Sequence, residues 1–558
     1  MRANHFIFII FLCISIHAFS QQKVYPGKYV IYFKDKSGSE FSISQPEKFL
    51  SDRAIKRREK FSIPIDERDL PVSRIYLAEL EKLGVKIIEF SKWFNCAIIG
   101  SDSDSILQLV SKLGFVLSEI PETLLPEANT SEPEKEYNNS FTYLKIPQAF
   151  YKNTFDYGRS QNQIEQLNGQ TLHNSGYQGQ GVIIAILDAG FYKANELAAF
   201  DSAYIQKRVL GVYDFVDQDT IVYDKGEHGM QVWSTIGAYL PGQFVGTAPK
   251  ASFYLLRSED AVSENRIEEY NWACAAEFAD SVGADVINSS LGYNNFDDKT
   301  LSYTYKDMDG KTAISSIAAN IAASKGILVV NSAGNEGNDD WKYITAPADA
   351  ENIITVGAID ASSRYVYFSS VGPTADGRLK PDVAAKGLYA TVLSGSGNVS
   401  SSNGTSFSSP IMAGMVACLR QAHPNARIPE MIVAIKESAN MSSKPDTLLG
   451  YGIPDFGLAD LLLFAKEEAK YIKDRIIRIF PNPFQSAMNL EIYFPGLTSF
   501  ELSVYNLWGK LVLKKKLDMN QQNYSNFYIT ETADWNNGFY VFQITTGDFF
   551  FQRKIMKM

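Results

Sequence analysis

Between residue 179 and about residue 466 the chain repeats one pattern: a short, largely apolar run, then a longer stretch with helical spacing. Residues 182–187, 284–287, 327–330 and 353–356 are such runs, and residues 264–281 and 313–324 carry the helical spacing. Strands that are apolar on both faces must be covered on both, and crossover helices do this for parallel neighbours. The pattern predicts an α/β unit, a parallel sheet with helices on both faces. In such a sheet functional groups gather beyond the carboxyl ends of the strands.

Reactive side chains stand at those places. Asp188, in Leu187-Asp188-Ala189-Gly190-Phe191, directly follows the first run, and Asn335, in Ala333-Gly334-Asn335-Glu336-Gly337, follows the third. His228, in Glu227-His228-Gly229-Met230, heads a helical run over 230–240; it is one of only five histidines. Ser406, in Gly404-Thr405-Ser406-Phe407-Ser408-Ser409-Pro410, precedes a helix of small and apolar residues over 407–421. A serine there reads either as a helix cap or as a nucleophile whose developing oxyanion meets free backbone N–H groups. An acid, a base, an amide and a hydroxyl in this order fit a hydroxyl nucleophile activated through histidine.

The flanks are built differently. Arg2, the apolar stretch 6–19 and the small-residue end Ala18-Phe19-Ser20 read as a secretory signal over residues 1–20, with a buried N-terminal helix as the alternative. No later segment approaches about 18 apolar residues, so no stable membrane span is expected. Residues 28–120 read as a small α+β unit. Its strands are expected at 29–33, 85–90, 93–99 and 115–120, its helices at 46–60, 72–83 and 105–113, in a split βαβ order. Residues 121–139 have linker composition, where proteases cut. After about residue 470, alternating segments at 489–493, 500–505 and 539–544, separated by turn signals, predict a small β-sandwich. Cys13 falls in the signal; the odd remainder, Cys96, Cys274 and Cys418, argues against a disulfide scaffold, with a Cys274–Cys418 bridge as the alternative to buried thiols. A net charge of -10 gives no basic footprint for nucleic acid.

The segments around Asp188, His228, Asn335 and Ser406 resemble those of subtilisin-like serine peptidases over roughly residues 175–466. Ser290-Leu291-Gly292, Phe368-Ser369-Ser370-Val371-Gly372-Pro373, Lys380-Pro381-Asp382-Val383 and Gly450-Tyr451-Gly452 support the likeness. The resemblance implies a secreted endopeptidase with Asp188, His228 and Ser406 catalytic, Asn335 in the oxyanion hole, and Ser290, Leu291 and Gly292 pairing with extended peptide by strand addition. It implies no required cofactor; calcium is an expectation without a place in the sequence. Two positions depart from the family pattern. Gly229-Met230-Gln231 stands where Gly-Thr-His is usual, and Ala189 stands where threonine or serine is commoner.

The N-terminal unit resembles the family's inhibitory propeptides. The tail resembles the C-terminal sorting domain of type IX secretion cargo in Bacteroidetes-like bacteria, through Phe480-Pro481-Asn482-Pro483, residues 505–510, Asn537-Gly538-Phe539-Tyr540 and Arg553-Lys554-Ile555. A sugar-binding or structural sandwich is the alternative for the tail. The expected order is signal 1–20, propeptide 21–125, linker 126–144, peptidase 145–470 and sorting sandwich 475–558. Expected partners are protein or peptide substrates, the chain's own propeptide as inhibitor, and a secretion machinery at a Gram-negative cell surface. An inactive surface protein binding peptide or matrix is the alternative function. The acidic residues Glu259, Asp260, Glu264, Glu268 and Glu269 read either as favouring basic substrates or as a solvated helix face. Asp307-Met308-Asp309-Gly310 opens like a calcium loop without the remaining spacing, and otherwise reads as a polar turn.

Overall fold

The computed structural model describes residues 21–117, 155–467, 475–494, 496–519, 524–547 and 549–558. The expected signal, most of the expected linker and residues 118–120 of the expected closing strand lie outside them. The chain divides into two compact units, Met1–Ser44 with Asp66–Leu124, and Gln45–Ile65 with Leu125–Met558. The helix expected over 46–60 forms as α1 (Asp52–Phe61), but it belongs to the larger unit.

In the smaller unit β1 (Gln21–Tyr25), β2 (Lys28–Tyr32), β3 (Lys86–Ser91) and β4 (Cys96–Gly100) form a sheet in the order β1-β2-β4-β3. Helices α2 (Arg74–Lys82) and α3 (Asp104–Val110) accompany it. Ile31, Phe33, Leu80, Ala97, Ile99 and Val110 share its core. Every strand pair is antiparallel, and β2 and β3, connected through α2, run the same way with β4 between them, which is the expected split βαβ order. The short connections β1–β2 and β3–β4 are hairpins, and a hairpin cannot place its strands parallel. Of the expected strand 115–120, the described part contributes a bridge between Phe33 and Val116.

The larger unit is built on β5 (Ile183–Asp188), β6 (Val209–Asp214), β7 (Ser252–Arg257), β8 (Val286–Ser289), β9 (Leu328–Ser332), β10 (Ile354–Ile359) and β11 (Val383–Lys386). Within the described residues they form a seven-stranded sheet in the order β11-β10-β9-β8-β5-β7-β6, parallel throughout. Residues of β5 and β8 to β11 are buried on both faces. On one face Ile184, Ile186, Val286 and Val330 pack with Trp233 of α4 (His228–Gly237) and Met412 of α7 (Thr405–Ala422). The intervening residues Ala185, Leu187, Ile287 and Val329 are equally buried and point to the opposite face. There α5 (Ile267–Val282) packs on β5 and β7 and against α6 (Ile314–Ser324). Strands β6 and β7 lie on one side of β5 and β8 to β11 on the other, so the connections diverge at β5, where open α/β sheets place their sites.

The tail folds as two antiparallel sheets. One is β12 (Ile476–Phe480), β13 (Met488–Tyr493) and β16 (Tyr524–Ile529); the other is β14 (Ser499–Asn506), β15 (Leu511–Asp518), β17 (Gly538–Thr546) and β18 (Phe549–Lys557). Ile477, Leu490, Leu502, Val504 and Phe542 form their shared core. Cys96, Cys274 and Cys418 are all buried thiols, so the alternative bridge is not formed. Among the described residues no helix is long and apolar enough to cross a membrane.

Candidate active site

Asp188 ends β5 and is fully buried. Its Oδ1 accepts the Ala189 N–H at 2.8 Å and lies 2.6 Å from His228 Nδ1. His228 is the first residue of α4. The helix can approach this closely because residue 229 has no side chain: a Cβ there would meet Gly190 O at 2.4 Å and Asp188 Cβ at 2.8 Å. Burial works against the imidazolium, but the Asp188 charge and hydrogen bond outweigh it and hold the His228 pKa above its ordinary value. The His228 side chain still keeps 37% exposure, enough for a reactant to reach the ring. Asp188 Oδ2 is buried and meets no donor among the described residues.

Ser406 is the second residue of α7, in which the cap position belongs to Gly404 at φ 144°. The cap reading of Ser406 is therefore replaced: its hydroxyl sits inside the first turn, where backbone N–H groups have no helical acceptor. The Phe407 ring packs 5.9 Å from the His228 ring, centroid to centroid, which sets the start of α7 beside the imidazole. Four residues on, Pro410 lies inside the helix and has no N–H for the Ser406 carbonyl. Ser290 Oγ donates to that carbonyl instead, at 2.9 Å. In return Ser406 Oγ lies 3.4 Å from Ser290 O. The buried Ser290 side chain thus steadies the backbone of residue 406, while Gly292, at the end of the segment expected to pair with substrate through its main chain, is exposed.

Asn335 stands three residues beyond the end of β9. Its Oδ1 accepts from Thr405 N at 2.9 Å and lies 3.0 Å from Thr405 Oγ1. That hydroxyl also lies 3.0 Å from Gly334 O and accepts from Gly334 N at 3.2 Å. With Oδ1 held, the amide orientation is set, and Nδ2 lies 3.7 Å from where a Gly404 Cβ would stand. Thr405 is the functional residue that motif reading passed over. Its signal was its place between Gly404 and Ser406, and its partner is 70 residues away in sequence.

The acidic run is not a solvated face. Glu268 and Glu269 are buried on α5, and carboxylate oxygens of Glu259, Glu264 and Glu268 lie within 4.8 Å of one another. Burial first, then the Glu264 charge, push Glu268 up to about 9 against hydrogen bonds from the Asn265 and Asp260 N–H groups. Burial and the Asp297 charge raise Glu264 to about 7. Glu259 accepts from the Tyr293 hydroxyl at 2.9 Å. Burial and mutual repulsion thus oppose full ionisation of the run. Asp307 and Asp309 are turn residues: Asp307 Oδ2 accepts from Thr304 N, and Asp309 Oδ1 from the N–H groups of Lys311 and Thr312.

Residues 179–452 match the subtilase family, residues 28–138 the Bacteroidota propeptide domain of S8 peptidases, and residues 478–558 a secretion system C-terminal sorting domain. Subtilisin NAT of Bacillus subtilis subsp. natto is 32% identical over 265 residues, covering 47% of this chain and 61% of that protein. The chain thus spans about three-fifths of the length of the Bacillus subtilis subtilisins it matches. The subtilisin of Bacillus pumilus is 31% identical over 265 residues, 47% of this chain and 84% of that protein. MycP1 of Mycobacterium smegmatis superposes with a TM-score of 0.43 at 23% identity, over 57% of this chain and 89% of its own. The sorting domain at the tail marks a protein that is secreted or held at the cell surface. With 84% of the Bacillus pumilus enzyme matched at 31% identity, the chain belongs to the subtilase family.

Proposed function

We propose that the protein is a serine endopeptidase acting outside the cytoplasm, made as a precursor that its own propeptide inhibits. The observation that carries this reading is the 2.6 Å contact between buried Asp188 and half-open His228, beside a hydroxyl in the first turn of α7. An inert peptide-binding role leaves that pair without a purpose.

Ser406 Oγ attacks the peptide carbonyl and its proton passes to His228. Asp188 holds the imidazole tautomer and stabilises the imidazolium. Asn335 Nδ2 and backbone N–H groups of α7 receive the oxyanion, while Thr405 keeps the amide in that orientation. His228 then protonates the leaving amine, and water, activated by the same base, releases the acyl group. Residues 290–292 hold the extended substrate by main-chain pairing. This acyl transfer requires no cofactor. The propeptide domain and sorting domain supply the expected partners, an inhibitor carried in the precursor and a secretion machinery that reads the tail.

Wild type and Ser406→Ala, expressed in parallel, test the reading with a fluorophosphonate probe and casein. Labelling and hydrolysis in wild type, both absent from Ser406→Ala, are the expected outcome. A folded, processed wild type that neither labels nor hydrolyses sinks the peptidase reading.

A further inference from the structure

Residues 45–65 fall inside the span matched to the propeptide domain, yet they pack as part of the larger unit. The reason lies in α1, which carries five basic residues in ten: Arg53, Lys56, Arg57, Arg58 and Lys60. Such a helix reads as a solvated surface. Instead Arg57 and Arg58 are 6% and 1% exposed and converge on Asp280, itself fully buried. Arg57 donates to Asp280 Oδ1 at 2.6 Å, and Arg58 to Oδ1 and Oδ2 at 3.0 and 2.8 Å.

Around this centre the helix satisfies the main chain where strands begin. Arg57 donates to Lys325 O at 3.1 Å and also to Ala284 O. Arg53 donates to Gly283 O at 3.0 Å and Gly181 O at 2.7 Å, and pairs with Asp285. Ser51 N donates to Ser281 O at 2.9 Å, and the Arg420 guanidinium lies 4.9 Å over the Phe61 ring. The body is shaped for the helix. A Cβ on Gly283, at φ +82°, would stand 2.9 Å from Ala54 N, and one on Gly326 would stand 2.9 Å from Ile63 Cδ1. Asp280 lies in the last turn of α5, where the helix dipole disfavours an anion. The two guanidinium groups answer both that repulsion and the burial. These partners sit at the amino ends of β5, β8 and β9, whereas Asp188, Ser290 and Asn335 lie at or just beyond the carboxyl ends of the same strands.

We propose that this socket is a permanent seat for α1: residues 45–65 stay on the mature peptidase as a separate, non-covalently held chain. The proposal rests on the self-inhibited precursor proposed above and adds hydrolytic cuts on either side of α1. Each cut is a hydrolysis in which water adds across one peptide bond, its hydroxyl to the carbonyl carbon and its proton to the departing nitrogen. Cuts on either side of α1 then remove the smaller unit and leave the helix bound.

The test is the subunit content of wild-type enzyme that has matured and been purified by gel filtration in 0.5 M salt, about a threefold shorter screening length than at 0.05 M. Denaturing mass spectrometry should find a large chain beginning beyond residue 121 and an equimolar fragment containing residues 52–61. In Asp280→Asn the fragment should fall at least tenfold. Should that variant not fold, Arg53→Ala takes its place and should lose the fragment faster than wild type. An uncut wild type refutes the processing reading rather than the socket. The socket is then read on Ser406→Ala treated with trypsin, where the bonds after Arg57 and Arg58 should survive while the linker is cut. Active mature enzyme without residues 52–61, equal retention in the variants, or early trypsin cuts at Arg57 and Arg58 overturns the proposal.

Discussion

Asp280 and Asp188 are both fully buried carboxylates at opposite ends of one parallel sheet, and their surroundings differ. Asp280 receives three side-chain bonds from two covered arginines. Among the described residues Asp188 has a single side-chain partner, His228, and its Oδ2 meets no donor. A saturated ion cluster holds elements together and offers nothing to a reactant. An under-satisfied carboxylate beside a half-open imidazole keeps its charge directed at the group that must gain and lose a proton. The same buried charge serves as a fastener at one end and as a field source at the other.

The largest expected effect breaks the catalytic end. Asp188→Asn should lower kcat by about 10⁴-fold, because the imidazole loses its correct tautomer and its counter-charge, with circular dichroism unchanged. The residual activity should also show a lower pH midpoint. Activity needs neutral His228, so wild-type rate rises as pH passes the raised pKa, and removing the Asp188 charge brings that value down. For stability the sign is opposite: protonated His228 favours the fold fully below its ordinary pKa, and the contribution fades as pH climbs through the raised one.

At the other end Asp280→Asn should cost about 3–5 kcal/mol of unfolding free energy in urea, since two covered guanidinium groups lose their anion. Activity per folded molecule should stay at the wild-type level. A variant of unchanged stability erases the contrast between the two carboxylates. The smallest change sharpens the comparison within the active site. Ser290→Ala leaves the Ser406 carbonyl without the donor that replaces the missing Pro410 N–H, about 1 kcal/mol. The kcat should fall roughly fivefold with KM nearly constant, read from initial rates on a peptide ester.

The parallel sheet and the four reactive positions were legible because both signals are local. Apolar runs such as residues 182–187 announce a strand covered on both faces, and a reactive residue directly after one announces a strand end. What escaped depends on partners distant in sequence. Nothing in the segment 52–61 names Asp280, so its five basic residues did not announce a buried contact. In the smaller unit the split βαβ order of β2, β4 and β3 was legible, whereas β1, with only Val24 buried, carries too little apolar signal to announce a strand. The burial of Glu268 and Glu269 follows from α5 lying against both β5 and α6, which charge counting along one helix does not reveal. The Pro410–Ser290 relation was present in two motifs but joined only by the fold.

The position of the socket partners along the chain sets an order in time. Gly181, Asp280, Ser281, Gly283, Ala284, Asp285 and Lys325 all precede Ser406. At roughly 5–20 residues per second, a ribosome completes every hydrogen-bonding group of the socket several seconds before it adds the nucleophile. The amino edge of the sheet is thus specified while the nascent chain has no serine with which to cut itself or its neighbours.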